Sequence, residues 1–559
     1  MRTTLITFLI LNFSFFLDAY AGSATWSSNP SSGDWFTAAN WTPNTIPNGP
    51  DDIATFDVSN TTDILLPGFA EVDSIVFNPG ASAYTLTVPW YMGQPNYFTL
   101  ISGMGIVNNS GVSQNFVSVE GDGFAFGNSA TAGNLTVFWN PAGPNPDGFG
   151  GRTVFGDGSN AGSGTFINGG AEGVVQGITY FFNDSSAANA TIINESAAPG
   201  DGLGGTTYFF DDASAGTATL INNGGAVTGG GGGLIRFYNN STAADATFIT
   251  NGGTAEAALG AVTDFLGGTM GNATFIANGT LTGPGAGRIV CIFLFTTSTA
   301  RIELFGTGTF DISNNQSQGQ PIPVTVGSLE GDGLVFLGTN QLTVGSNNLS
   351  TLFSGVIQDG GVGGGEGGSV TKIGRGSLVL VNANTYTGGT TVEDGELVIN
   401  NQTGSGTGSG AVQVNTGRLI GRGTIAGPVI IGDAYASPAV LAPERRGGKP
   451  ANLTIQGALT FNTGATYKVD LNTKAIFAGR IAANGVTVSD ARFSLVSHGS
   501  SAIPGGTVFT VISNTAATPI SGTFANLPDG STFTVGPNTF QVNYEGGGDG
   551  NDLTLTVVP

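Results

Sequence analysis

Five short runs with one apolar pattern recur through the first half of the chain: Thr165-Phe166-Ile167-Asn168, Thr191-Ile192-Ile193-Asn194, Thr219-Leu220-Ile221-Asn222, Thr247-Phe248-Ile249-Thr250 and Thr274-Phe275-Ile276-Ala277. Successive runs stand 26 to 28 residues apart. Upstream of each lies an aromatic, Phe155, Phe182, Phe210, Phe237 and Phe265, usually followed by Asn, Asp or Gly and then small residues, as in Phe182-Asn183-Asp184-Ser185-Ser186. Short β-branched and aromatic runs bounded by turn residues read as strands. A period near 27 residues is that of a three-sided β-helix, in which equivalent residues of successive coils lie one strand spacing apart, about 4.8 Å. Like side chains then pile into columns. The pattern predicts an internal column of Ile167, Ile193, Ile221, Ile249 and Ile276, one aromatic column through the five phenylalanines, and amide hydrogen bonds linking Asn168, Asn194 and Asn222 along a corner. At this period the exported chain would make about 20 coils, a rod on the order of 95 Å long.

Composition fits a coil with many corners. The chain holds 93 glycines and 37 phenylalanines, its charged residues are 10% of the total and its mean hydropathy is +0.15. A disordered tail has few apolar side chains and much charge, so this composition excludes one. Val370 to Asn401 shows the corner logic in one stretch: Leu378 and Leu380 alternate with Ser377 and Val379, Gly388-Gly389 opens a corner, Thr390-Thr391-Val392 follows, and Gly395 precedes Leu397-Val398-Ile399.

In its Lys372-x-Gly374-x-Gly376 opening, its Asn384-Thr385-Tyr386-Thr387-Gly388-Gly389-Thr390-Thr391-Val392 centre and its Gly395-x-Leu397 closing, this stretch resembles the autotransporter-associated β-strand repeat. That family belongs to secreted and surface proteins of bacteria. Gly417 to Asp433, Ala439 to Pro443 and Ala451 to Asn472 resemble the tail that follows such repeats. The resemblance implies a right-handed parallel β-helix of passenger type, displayed on or outside the cell. It supplies no catalytic residues.

The fold expected is therefore all-β, a right-handed parallel β-helix (solenoid) with an N-terminal cap. Residues 1–21 read as a signal peptide, with Arg2, an apolar stretch from Leu5 to Leu17 and an Ala19-Tyr20-Ala21 cleavage site. Residues 22–88 form the cap and first strands, 89–300 the repeats of about 27 residues, 301–369 further coils with a glycine-rich loop at Gly360 to Gly368, 370–401 the recognised repeat, and 402–559 the last coils and a cap. Trp26, Trp35 and Trp41, among prolines, suit a lid over the apolar cross-section of the first coil. Three tryptophans also suit a sugar-stacking platform. The sequence after Lys468 shows no series of strands of the length a membrane barrel needs, so a passenger without its anchor is expected.

The formal net charge is −22, and between Gly22 and Thr371 the cations are Arg152, Arg236, Arg288 and Arg301 alone. Nucleic acid is excluded, since phosphate contacts need clustered Lys or Arg. Neutral glycans or surface proteins remain as partners, with no transmembrane segment in the mature chain.

Candidates for chemistry are sparse. Cys291, the single cysteine, sits in the apolar run Ile289 to Phe295 and reads as a buried inert thiol. Asp211-Asp212 and Glu330 with Asp332 are the carboxylate pairs open to nomination for hydrolysis, yet adjacent strand residues point to opposite faces. His498 lies in a turn-like Ser497-His498-Gly499-Ser500 with no nearby partner for a triad. Gly547-Gly548-Asp549-Gly550-Asn551-Asp552-Leu553-Thr554 fits one copy of a calcium nonapeptide, whose ion site needs a neighbouring turn to complete it. No catalytic, cofactor or metal residue is assigned. The function expected is non-enzymatic, a secreted or cell-surface protein with a structural or adhesive role. The alternative is a β-helix enzyme acting on polysaccharide, a glycoside hydrolase or lyase.

Overall fold

The computed structural model describes residues 22–89, 98–143, 149–171, 175–197, 202–280, 285–293, 297–433, 435 and 438–559. The signal segment read at 1–21, with its cleavage site, lies outside them. The described chain is a parallel β-solenoid of about 17 turns. It contains no α-helix among the described residues, and one 3-10 turn at Ala38–Asn40. Fewer turns form than the period alone implies because both ends of the chain go into antiparallel closing structures.

Each coil visits three faces. The first face is a 15-stranded sheet running to Val356–Gln358. The second stacks the Thr-apolar-Ile-Asn runs in register, Thr165 on Thr191, then Thr219, Thr247 and Thr274. The third begins as single-residue bridges through Thr131, Asn160, Ser186, Ser214 and Thr242. It widens into an eight-stranded sheet from Val324–Val326 to Val486–Val488.

The columns are those expected, but two face differently. Phe166, Ile192, Leu220, Phe248 and Phe275 are fully buried and form the internal column of the second face. Ile167, Ile193, Ile221, Ile249 and Ile276, expected inside, stand on the outer surface, half-buried. Side chains alternate along a strand, so burying Asn168, Asn194 and Asn222 turns the preceding isoleucines outward. The aromatic column is likewise corrected by one residue in two coils. The inner stack is Phe155, Phe181, Phe209, Phe237 and Phe265, with centroids 4.7–4.9 Å apart. Phe182 and Phe210 point outward, Phe182 stacking on Phe210 at 5.0 Å and Phe210 on Tyr238 at 4.7 Å.

The residue that turns the chain off the first face is left-handed in coil after coil: Asn128, Asp157, Asn183, Asp211 and Asn239 have φ of 51–54°. Asn and Asp tolerate this conformation best among residues with a side chain, which explains the recurring polar residue after the aromatic. At Gly360 to Gly368 the glycine-rich stretch folds back onto the coils. Val362 N donates to Asp311 Oδ2 at 3.0 Å and Gly363 N to Ser313 Oγ at 2.8 Å.

Trp26, Trp35 and Trp41 are 1%, 0% and 1% exposed and pack edge to face, with Trp41 centroids 5.0 Å from Trp26 and 4.8 Å from Trp35. Each indole N–H donates to a backbone carbonyl, of Thr61, Pro47 and Trp35 respectively. No ring face is open to a sugar, so the platform reading falls. The cluster lies on Phe56 and closes the apolar cross-section, while Trp41–Thr42 pairs antiparallel with Ala24–Trp26 at the sheet edge. Removing residues 22–45 is expected to bare Phe56 and the Gly49–Phe56 edge and to produce oligomers that grow with concentration. Size-exclusion chromatography with light scattering checks this; a truncated chain that stays monomeric refutes the capping role.

The far end is closed by antiparallel strands. Val508–Asn514 pairs with Asp552–Val558, which pairs with Asn538–Gly546, and that strand pairs with Thr532–Val535.

Candidate binding groove

The residues nominated for chemistry are dispersed and held by structural contacts. Asp211 is a left-handed corner residue whose carboxylate accepts from Asn183 N at 3.3 Å and Asn239 Nδ2 at 3.1 Å. Asp212 accepts from Asn240 Nδ2 at 3.2 Å. Glu330 is gripped by Arg301 through two hydrogen bonds of 2.8 Å, and Asp332 accepts from Gly306 N at 2.7 Å. Cys291 is fully buried, and burial, with Asp311 and Asp264 adding to it, pushes its thiol far above the ordinary value. The Gly547 to Asp552 segment is the turn between the last two strands, where Asp552 Oδ1 accepts from Asn514 N at 2.9 Å.

His498 has a distant partner that sequence spacing did not reveal. Its Nε2 shares a 2.6 Å hydrogen bond with Asp470 Oδ1. Asp470 also accepts from Lys468 Nζ at 2.9 Å, and Lys468 reaches Glu444, which Arg418 holds at 2.6 Å. Burial raises the Asp470 carboxyl, and hydrogen bonds from Glu444, His498 and Lys468 outweigh it, leaving the group below its ordinary value. The neighbouring hydroxyl, Ser497 Oγ, donates to the Gly499 carbonyl at 3.1 Å and does not serve the ring. This is a charge chain across the last coils.

Two asparagine ladders run side by side along the repeat zone. The inner one is dry. Asn140 Nδ2 donates to Asn168 Oδ1 at 2.9 Å, Asn168 to Asn194 at 2.8 Å and Asn194 to Asn222 at 3.2 Å. Thr153, Thr179 and Thr207 of the first face donate to the side-chain oxygens of Asn140, Asn168 and Asn194. The outer ladder lies one residue past each run. Asn278 Nδ2 donates to Asn251 Oδ1 at 2.9 Å, Asn251 to Asn223 at 3.2 Å, and Asn223 to Glu195 Oε2 at 3.2 Å.

That outer ladder is one wall of a groove of about 1210 Å³. Ala226, Thr254 to Ala257 and Thr280 line it as well, together with the glycines Gly224, Gly252 and Gly279. The glycines are required by the close approach of coils: a Cβ on Gly224 would lie 2.2 Å from the Gly252 carbonyl oxygen. Glu195 and Glu256 are the charged residues of the lining. Sequence reading passed over Glu195, Asn223, Asn251 and Asn278; the signal was the polar residue that follows four of the five runs.

Elsewhere the outer surface is built of columns. Trp139 and the five isoleucines lie in register beside the threonine column, and Glu303 ends the apolar line. On the first face, Tyr180 and Tyr208 stack at 5.4 Å beside Phe182 and Phe210. In these stacks each ring covers the face of the next, so the ladders stabilise neighbouring coils.

Within 370–401 the repeat's residues perform definite local tasks. Lys372, 1% exposed, donates from Nζ to the carbonyls of Ile373, Gly374 and Asp394 at 2.6, 2.7 and 3.3 Å, gathering two corners where Gly374 and Gly395 have φ of 68° and 67°. Burial pushes its ammonium down to about 8. Tyr386 is buried with its hydroxyl 2.6 Å from Thr390 Oγ1, and Asn384 bridges Ile357 N and Gly406 O in the coils on either side.

Comparison with known proteins places this stretch. The passenger-associated-transport-repeat family matches residues 370–399. No curated protein matches the chain. Among solved structures, the crystal structure of the Haemophilus influenzae Hap adhesin aligns over 91% of this chain at 11% identity with a TM-score of 0.31. The chain spans 59% of that protein's length. Residues 370–399, the stretch that matches this repeat family, span more than one turn of the parallel β-helix, since Ser369–Lys372 pairs with Thr390–Val392 and Ser377–Leu380 with Glu396–Ile399, and the helix continues on both sides.

Proposed function

We propose that this chain is a non-enzymatic, secreted or cell-surface rod with a structural or adhesive role. The observation that carries the reading is the engagement of every nominated carboxylate in a corner or an ion pair: Asp211 and Asp212 with asparagines, Glu330 with Arg301, and Asp332 with a backbone N–H. A hydrolase of the usual kind needs two carboxyl groups facing one bond across about 5–10 Å, one of them unpaired enough to donate its proton. A lyase acting on uronates needs cations, and Arg236, Arg288 and Arg301 are each held by a carboxylate. The passenger-type repeat at 370–399 supports export and display.

The test is incubation of the chain from residue 22 onward with neutral and acidic polysaccharides and with protein-coated surfaces, scoring retention and soluble sugar in the same tubes. Retention with no sugar release is the expected result. Release of sugar overturns the reading.

A further inference from the structure

We propose that the groove over the outer asparagine ladder binds a neutral glycan chain lying along the rod. The inference rests on the adhesive reading above and names its site and ligand class.

The geometry is periodic in the direction a polymer would take. Glu195, Asn223, Asn251 and Asn278 come from four successive coils, joined by three hydrogen bonds that span 28, 28 and 27 residues. Their spacing is one strand spacing each, so the wall extends over roughly 14 Å. In every rung one amide N–H is used along the ladder and the second remains for a ligand. Extended glycans present hydroxyls at a repeat close to that of coils in a β-solenoid, and each hydroxyl both donates and accepts, as the mixed amide and carboxylate wall requires.

The lining also selects among ligands. Besides the ladder it holds Ser196, Thr254 and Thr280, glycines and alanines, with no aromatic or large aliphatic side chain. Peptide ligands draw most of their affinity from apolar anchors seated in pockets, and this groove offers none. Glu195 and Glu256 with no cation in the lining repel uronates and sulfated or sialylated chains. A hydroxyl-rich, uncharged chain is what remains. Gly224, Gly252 and Gly279 add no side chain to the lining that would stand in its way.

The experiment is affinity electrophoresis in native gels cast with a neutral glucan, a neutral mannan, a neutral galactan or polygalacturonate. Four chains from residue 22 onward are compared: wild type, Asn251→Ala, Ala226→Leu and Asn272→Ala. Asn251→Ala removes the middle donor, and Ala226→Leu narrows the groove from an exposed position without adding charge. Asn272→Ala is the control, because Asn272 Nδ2 makes the same kind of rung, to Asp245 Oδ1 at 3.1 Å, outside the groove lining. Thermal midpoints within a few degrees of wild type verify that each variant folds.

Retardation of wild type by at least one neutral polymer, weakened about tenfold or more in Asn251→Ala and Ala226→Leu and kept in Asn272→Ala, is the expected result. Retardation that survives both groove variants overturns the site while leaving adhesion standing. Equal retardation by polygalacturonate overturns the neutral class. Capture on protein-coated surfaces with no retardation in any polymer overturns the glycan inference and keeps the adhesive one, whereas sugar release overturns the adhesive reading itself.

Discussion

Phe209→Ala is expected to destabilise the chain by about 3–5 kcal/mol, and Phe210→Ala, one residue on, by about 1–2 kcal/mol. The two side chains are chemically identical and belong to the same coil. Phe209 is 0% exposed and sits between Phe181 and Phe237 at 4.8 and 4.7 Å, nearly parallel to both. Truncating it opens a cavity inside a stack whose neighbours are fixed by their own register, so little collapse can fill it. Phe210 has similar ring contacts, 5.0 Å to Phe182 and 4.7 Å to Tyr238, but solvent replaces what is lost. Urea unfolding followed by far-ultraviolet circular dichroism measures both shifts in midpoint. Equal shifts, or the reverse order, would contradict the facing of this strand.

The second large effect belongs to the inner ladder. Asn194→Leu is expected to cost about 3–5 kcal/mol, because four groups lose their partner at once. Asn168 Nδ2 and Thr207 Oγ1 lose an acceptor, and Asn222 Oδ1 and the Leu234 carbonyl lose a donor, the three side-chain groups in an interior without access to water. Asn194→Thr should cost less than half as much. The protein itself uses that chemistry two coils later, where Thr250 and Thr263 share a 2.7 Å hydrogen bond across the same two faces. Differential scanning calorimetry of the two variants gives the comparison; a leucine variant as stable as the threonine one would mean the ladder contributes nothing.

Much of this was legible in the residues. The 26 to 28 residue spacing gave the coil, because hydrogen-bonded parallel strands force equivalent residues into columns. The asparagine that closes the first three runs gave the inner ladder, and the Asn or Asp that follows most of the aromatics marked a left-handed corner. Lys372, Gly374 and Gly395 were recognisable as a motif before their local tasks were visible.

Facing was misread where both parities are apolar. Thr-Phe-Ile-Asn offers Phe and Ile as rival core residues, and Phe181-Phe182 and Phe209-Phe210 offer two rings each. Two charged residues held the answer. Glu303 shares the column of Ile276, and Arg236 shares that of Tyr180 and Tyr208, which places each column outside.

By itself, then, the sequence determined the period, the number of faces, the polar corners and the aromatic lid, all of which follow from local propensity repeated along one axis. Tertiary structure decided which side of each strand is core, since burying the amides with their threonine partners sets the parity. It alone joined His498 to Asp470 across 28 residues and aligned Glu195, Asn223, Asn251 and Asn278 along one groove. Those contacts depend on how coils stack and on how far their corners protrude, and neither is encoded in any one run of residues.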